Sequence, residues 1–96
     1  MPKGYWIGHV DVHSPEDYPG YQKAAQAAYE KYGARFLVRG GHSDVVEGAS
    51  RARHVVVEFD TIEQARACYQ SAEYQQAAKI RQANAVSDII IVEGNG

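Results

Sequence analysis

The stretch RFLVRGGHSDVVEGASRARHVVVEF, residues 35–59, contains two extended segments in succession with no helical pattern between them. The first begins near Ala34, is interrupted at Arg39-Gly40-Gly41, and resumes as SDVVEG over 43–48. The second, HVVVEF over 54–59, has the β-branched and aromatic composition of a strand. Because glycines supply a positive φ or a bulge, we expect the first strand to bend at the glycine pair and to reach beyond its own sheet.

The segment before this pair predicts one strand and one helix. GYWIGHVDV, residues 4–12, has the aromatic and β-branched composition and the partial alternation of a strand. Ser14 is a candidate N-cap for the helix that follows, and Pro19-Gly20 requires either a short turn before that helix or a kink in it. Gly33 is suited to end the helix. Its apolar stripe is formed by Tyr18, Tyr21, Ala25, Ala28 and Tyr32.

The segment after the pair predicts a helical region and a last strand. Thr61 and Gln64 form a T-x-x-Q capping box, and Ser71 is suited to cap a second helical piece over 72–83, with Asn84 at its end. DIIIVE, residues 88–93, is the fourth strand, and 94–96 is expected to be a frayed tail.

The resulting order is β-α-β-β-α-β, which predicts a single α+β domain over 1–96. Strands and helices in this order form a four-stranded antiparallel sheet with the helices on one face, the ferredoxin-like arrangement. A chain of 96 residues is one domain by length, and a domain this small buries a modest share of its surface.

Both faces of the predicted sheet carry apolar residues. The runs VVV at 55–57 and III at 89–91 are typical of strands that are covered on both sides, whereas a sheet with helices on one face should alternate. We therefore expect a second copy of the chain to cover the other face, which gives a homodimer through the sheet faces.

The composition argues against several classes of partner. The net charge is −2, and the segment RHVVVEF lacks the aromatic residues with which RNA-recognition domains stack bases, so no nucleic acid is expected. No apolar run is long enough to span a bilayer, no signal peptide is recognisable, and the single cysteine, Cys68, forms no intrachain disulfide. These features predict a cytoplasmic protein without membrane partners.

Ionisable residues on the predicted central strands are the candidates for catalysis. His9 and Asp11 share one face of strand one, and His54 and Glu58 share one face of strand three. We expect these four to meet, with Arg39 from strand two close by. Such a group would suit proton abstraction next to a carbonyl, with the arginine stabilising an enolate; the alternative is a polar network that only supports the sheet.

The second helical region offers further candidates for ligand binding. Tyr69, Tyr74 and Arg81 are able to orient an acidic or polar ligand, together with His54, although packing explains the same pattern. The sequence contains no metal-binding spacing of histidines or cysteines, and no cofactor is expected, although haem stays open because one histidine suffices to ligate it.

Several of these blocks resemble a known family. KGYWIGHVDVHSPEDYPGY, YGARFLVRGG, CYQSAEYQQA and DIIIVEG are similar to the domain-of-unknown-function family 1330 over nearly the whole chain. The resemblance implies the dimeric α+β barrel superfamily, in which two ferredoxin-like sheets face each other. That superfamily includes cofactor-independent oxygenases, muconolactone-isomerase-like proteins, stress-responsive barrels and haem-handling relatives.

The resemblance implies an architecture and no single reaction. Two hypotheses follow for a dimeric barrel of this type. The first is a small-molecule-binding protein or a cofactor-independent enzyme of isomerase or oxygenase type, with its cleft between the sheet and the helices. The second is a non-catalytic ligand-binding or regulatory dimer, so whether the protein is an enzyme stays open at this stage.

Overall fold

The computed structural model describes residues 2–96, and its elements follow the predicted order with the second helical region in two pieces. The strands form one antiparallel sheet in the order β2-β3-β1-β4, and the helices cover one of its faces. The ferredoxin-like α+β fold is therefore confirmed. The elements are β1 (Gly4–Val12), α1 (Tyr18–Tyr32), β2 (Arg35–Arg39), β3 (Arg53–Phe59), α2 (Ile62–Gln70), α3 (Ala72–Asn84) and β4 (Ala85–Glu93).

Trp6 occupies the centre of the helix-facing side of the sheet. It pairs across β1 with Val57 of β3 and with Ile91 of β4, and its indole N–H donates to the carbonyl of Ala65 in α2 at 2.8 Å. The indole is nearly fully buried. This bond ties the sheet to the helical layer and satisfies the one polar atom of the ring.

Two serine and threonine caps position the second helical region. The Thr61 hydroxyl accepts a hydrogen bond from the Gln64 amide at 3.1 Å, as the capping box predicts. The Ser71 hydroxyl accepts from the Tyr74 amide at 3.1 Å and donates to the carbonyl of Cys68 at 2.7 Å. Ser71 therefore ends α2 and begins α3, and both predicted caps are confirmed.

The start of α1 corrects one prediction. The N-cap is Asp17, which makes no side-chain capping bond. Ser14 instead begins a turn, in which the Ser14 carbonyl accepts a hydrogen bond from the Asp17 amide at 3.1 Å. Pro19 then lies in the first helical turn, where its missing N–H has no intrahelical partner to lose. Of the two alternatives, the short turn before the helix is the one observed. Gly33 ends the helix with a left-handed φ of 70°, as predicted.

The segment after β2 departs from its prediction. Gly40 has a φ of 70°, as expected of one glycine in this pair, but the register shift between β2 and β3 lies earlier, between Phe36 and Val38. Within the described chain, residues 40–52 form neither helix nor strand, so the predicted strand at 43–48 is wrong. A strand needs a neighbouring strand to accept and donate its backbone hydrogen bonds. The described part of this single chain places no strand next to residues 43–48. At the other end, the Gly94 amide donates to the carbonyl of Lys3, which extends the β1–β4 pairing into the tail.

The other face of the sheet, here called the outer face, is not covered by any helix of residues 2–96. Its apolar side chains are partly exposed, with Ile90 at 55% and Val86 at 51%. On strand β3 the residues that point to this side, such as Val56, are only half-buried. The apolar runs of β3 and β4 thus do place apolar groups on both faces, as the sequence predicts.

Candidate functional site

A cleft lies between the helix-facing side of the sheet and helices α1 and α3, and it encloses a cavity of about 40 Å³. Its apolar lining comes from Trp6, Val10, Val55, Val57 and Phe36, among others. Its polar lining consists mainly of tyrosine and arginine side chains, and we call it the tyrosine–arginine cleft. These residues are Tyr18, Tyr21, Tyr29, Tyr74, Arg39, Arg53 and Arg81.

Three of the tyrosines form a chain of hydroxyl groups. The Tyr21 hydroxyl lies 2.7 Å from that of Tyr74 and 3.1 Å from that of Tyr29, and all three side chains are buried. Burial in apolar surroundings raises the pKa of the Tyr74 and Tyr29 phenols well above their ordinary value, and the neighbouring Tyr21 adds to the effect. These phenols are therefore neutral near neutral pH and act as hydrogen-bond donors and acceptors.

Arg81 is the most deeply buried charged residue of the cleft. It lies on α3 with an exposed fraction of 3%, and its guanidinium carbon is 5.8 Å from the centre of the Tyr21 ring. Its Nε has no hydrogen-bond partner within residues 2–96. A buried donor without a partner costs free energy, so this Nε does not add to the stability of the fold.

Arg53 enters the cleft from the first position of β3. Its guanidinium carbon is 5.8 Å from the Tyr18 ring, and its Nε, also buried, has no partner in the part of the chain that the structure describes. Gly40 makes room for it, because a Cβ on that glycine would fall on the Arg53 guanidinium. Gly40 of the opening stretch therefore serves the cleft as well as the turn.

Arg39 closes the cleft on the β2 side. Its guanidinium carbon lies 3.9 Å from the centre of the Phe36 ring, which is a stacking contact, while the side chain itself is exposed. Stacking on Phe36 holds the charge at the mouth of the cleft and leaves its N–H groups free to meet solvent or a ligand.

A second cavity of about 260 Å³ adjoins the first on the β4 side. It shares Arg81 and Ile89 with the cleft, so both cavities border the Arg81 side chain. It is also lined by Tyr69 and by Ser87, whose buried hydroxyl has no hydrogen-bond partner among the described residues. Among the residues described as lining either cavity, none is acidic.

The four ionisable candidates on β1 and β3 do not lie in this cleft. His9, Asp11, His54 and Glu58 all point to the outer face, because the register pairs His9 with His54 and Tyr5 with Glu58. His9 and His54 do meet, with their Nδ1 atoms 2.8 Å apart. The predicted grouping of all four with Arg39 is wrong, since Arg39 lies on the opposite side of the sheet, next to Phe36.

The two carboxylates of that group are held by arginines of the chain. Asp11 accepts from Arg51 at 3.0 Å and from the Ala52 amide at 2.9 Å, and these bonds hold the pKa of its carboxyl below the ordinary value. Glu58 accepts from Arg35 and from Tyr5, each at 3.0 Å, and the bond from Arg35 is the main reason that its pKa is also lowered. Each carboxylate is therefore paired with an arginine on the outer face of the sheet.

The candidates from the second helical region lie closer to the cavities. Tyr74 and Arg81 line the tyrosine–arginine cleft, and Tyr69 lines the second cavity. Sequence reasoning did not select Arg53, Tyr18, Tyr21, Tyr29 or Ser87 as functional. A usable signal existed for Arg53, because it falls in the period-two row of Val55, Val57 and Phe59, where a charge is unexpected.

Metal and thiol chemistry find little support in the described residues. Within residues 2–96 no group of three or more histidine, cysteine, aspartate or glutamate side chains is arranged to hold a metal ion. Burial raises the pKa of the Cys68 thiol to about 12, so this side chain packs as a neutral group. No helix in that range has both the length and the apolar character needed to cross a membrane.

Comparison with known families identifies the chain. The model of the domain of unknown function DUF1330 matches residues 3–95. The chain belongs to this family. No curated protein matches its sequence significantly.

Solved structures show the same fold at low sequence identity. A protein of unknown function from Rhodopseudomonas palustris has a TM-score of 0.80 at 16% identity, over 99% of this chain and 84% of its own. SnoaB, a cofactor-independent oxygenase from Streptomyces nogalater, has a TM-score of 0.63 at 11% identity, over 100% and 96%. A hypothetical Arabidopsis thaliana protein has a TM-score of 0.72 at 11% identity, over 100% and 91%. These three structures share the ferredoxin-like α+β fold of this chain, and the fold is all that such low identities show.

Proposed function

We propose that this DUF1330 protein binds a small organic molecule in the tyrosine–arginine cleft. The observation that carries the proposal is the pair of buried arginine Nε groups, on Arg53 and Arg81, that have no partner within the described chain. Apolar cavities with a few convergent polar groups are the usual form of small-molecule sites. Here the aromatic walls provide the apolar contact and the free donors provide orientation.

The groups that line the cleft favour binding over proton abstraction. The described lining includes neither histidine nor carboxylate, and burial keeps the phenols of Tyr29 and Tyr74 neutral. A general base that works near neutral pH is thus missing from the lining. We therefore place binding first, with Arg81, Tyr74 and Arg39 as contacts retained from the sequence candidates.

A cofactor-independent oxygenase or isomerase is the second candidate. The fold shared with SnoaB supports it, and so does the hydroxyl chain of Tyr74, Tyr21 and Tyr29, which is able to donate to an oxygen that gains charge during a reaction. Because the cleft lacks a base, such an enzyme would act on a substrate that is already an anion. Turnover of any ligand found in the cleft distinguishes the two candidates.

We also propose that the functional unit is a homodimer formed through the outer face. Val86, Ile90 and Val92 are exposed on the outer face of β4, with Asp88 between the first two, and a second sheet would cover these apolar side chains. Val46, 91% exposed in the strandless segment 40–52, would contact the partner. The His9–His54 pair would then lie near the seam between the two copies.

A cavity-filling substitution tests the cleft. Gly8 lines it, and a Cβ there would lie 3.7 Å from Ile89, so valine at this position occupies the cavity without a severe clash. We expect ligands found by a thermal-shift screen of metabolites to lose their effect in Gly8→Val. Gly20→Val is the matched control, because Gly20 has nothing within 4 Å of its Cβ position. If Gly8→Val binds every hit as well as the wild type, the ligands bind elsewhere and the proposed site is wrong.

A charge on the outer face tests the dimer. Ile90→Asp is expected to give a monomer by light scattering, whereas Ala67→Asp on the exposed surface of α2 is expected to leave the dimer unchanged. A wild-type protein that is monomeric at micromolar concentration would refute the proposal.

A further inference from the structure

The charge of the side chains that line the cleft indicates the chemical class of its ligand, and this inference depends on the proposed binding function. We infer that the ligand is a small carboxylic acid whose carboxylate lies between Arg53 and Arg81, with an uncharged polar group that reaches Ser87 in the second cavity. Each of these three side chains has a buried polar atom without a partner in residues 2–96.

The first argument is charge balance. The lining of both cavities contributes three arginines and no acidic side chain among the described residues. The chain does not lack acids, since it has 12 aspartates and glutamates, and Arg35 and Arg51 each pair with two of them. A buried cation without a counter-ion is costly, so the missing negative charge is best supplied by the ligand.

The second argument is geometry. Arg53 and Arg81 approach two aromatic rings, Tyr18 and Tyr21, whose centres are 5.4 Å apart. Burial raises the pKa of the Tyr18 phenol, and the positive charges of Arg53 and Arg81 oppose that increase. Because the two rings that carry these arginines are neighbours, we place one anion beside both guanidinium groups.

The third argument is size. A cavity of about 40 Å³ has room for roughly three water-sized groups, which matches the three heavy atoms of a carboxylate. A planar carboxylate also fits the planar fork of a guanidinium group. A tetrahedral phosphate is larger and is used below as a competing probe.

The remaining part of the ligand has a neighbouring cavity to occupy. The second cavity also borders Arg81 and offers the Ser87 hydroxyl, which has no partner among residues 2–96, together with Gln82. A hydroxyl or carbonyl group on the ligand would satisfy Ser87 without adding charge. Short hydroxy acids and oxo acids have both features.

The direct test observes the arginine Nε–H groups by NMR in the full-length protein. Acetate and a series of ω-hydroxy acids of increasing length are titrated, with acetamide as the neutral isostere and inorganic phosphate as the competing anion. We expect the acids to shift the Nε–H signals of Arg53 and Arg81 and to leave that of the exposed Arg66 unchanged. Arg53→Gln and Arg81→Gln should each weaken binding about tenfold or more, while Arg66→Gln should not.

Several outcomes would overturn this assignment. It is wrong if acetamide shifts the signals as acetate does, if phosphate alone shifts them, or if Arg66 responds equally. If neutral molecules bind in the cleft and acids do not, the proposed binding function is retained and only the assignment of an acid as ligand is wrong.

If either arginine variant fails to fold, the titration of the wild-type protein still tests the assignment. Ser87→Ala should remove the advantage of the best hydroxy acid over its unsubstituted counterpart, and an unchanged advantage would refute the role of Ser87.

Discussion

The arginines on the two faces of the sheet differ in whether they are paired with acidic side chains. On the outer face and its edge, Arg35 binds Glu58 and Asp60, and Arg51 binds Asp11 and Asp88, with N–O distances from 2.7 to 3.1 Å. On the helix-facing side, Arg53 and Arg81 keep buried Nε atoms without a partner among the described residues. Paired charges support the sheet, whereas unpaired charges in a cavity mark the place where a ligand is expected.

The faces also differ in what they bury. Trp6, Val57 and Phe59 on the helix-facing side are almost inaccessible, while the outer face leaves Ile90 and Val86 about half exposed. The free energy of folding for one copy therefore depends mainly on the helix-facing side. The outer face, whose apolar side chains stay partly exposed, contributes less unless a second copy covers it.

The largest expected effect is at the centre of the helix-facing side. Trp6→Ala removes a buried ring and the hydrogen bond to Ala65, so it should lower the free energy of unfolding by about 3–5 kcal/mol. Urea titration of a monomeric background, Ile90→Asp, provides the measurement. Ile7→Ala, on the half-buried opposite side of the same strand, is the matched comparison and should cost clearly less. Equal losses would remove the distinction between the faces.

The second-largest expected effect is a loss of stability at alkaline pH, caused by the buried tyrosines of the helix-facing side. The pKa values of Tyr29 and Tyr74 are raised in the folded state, so above their ordinary value of 10.0 the unfolded chain holds fewer protons than the folded one. Stability is fully present below that pH and falls as the pH rises above it. Unfolding followed by tyrosinate absorbance should show these phenols ionising together with the loss of structure. Their ionisation in a folded protein would contradict the burial.

The Arg81→Met substitution tests whether the charge of Arg81 stabilises the fold. Since the buried guanidinium group has an unsatisfied Nε, an apolar side chain of similar length should leave the melting temperature unchanged or raise it in the absence of ligand. Differential scanning calorimetry checks this. A clear loss of stability would mean that Arg81 supports the fold, which the contrast between the two faces does not allow.

The smallest effect is expected from Glu58→Gln on the outer face. The Glu58 carboxylate is ionised and paired with Arg35 at the edge of the sheet, where solvent weakens the interaction. Because its pKa is lowered, its contribution is present above the ordinary value of 4.5 and is lost as the pH falls below it. Thermal unfolding should differ slightly from the wild type near neutral pH and not at all in acid. A difference that grows in acid would show that the pair has another role.

The fold was predictable because local signals agree with the tertiary structure. Thr61, Ser71 and Gly33 mark the ends of helices through their own backbone and side-chain chemistry, and the structure uses all three. Ser14 failed as a cap because Pro19 fits best within the first helical turn, which delays the helix to Tyr18.

The site was predictable only in part. Alternation along a strand correctly put His9 with Asp11 and His54 with Glu58, yet it does not say which face the helices cover. That choice placed the four candidates on the outer face and brought in Arg53, which shares the other face with Val55 and Val57. Arg81 and Tyr74 were selected from helical spacing, which is a local property of one element.

The amino-acid sequence alone determined the order of strands and helices, the caps and the apolar character of both faces, since each depends on neighbouring residues and on periods of two or 3.6. The tertiary structure alone decided which charges are paired and which stay free. Pairing joins residues far apart in the chain, such as Arg51 and Asp11, and it depends on the register of the sheet and on the side that the helices cover.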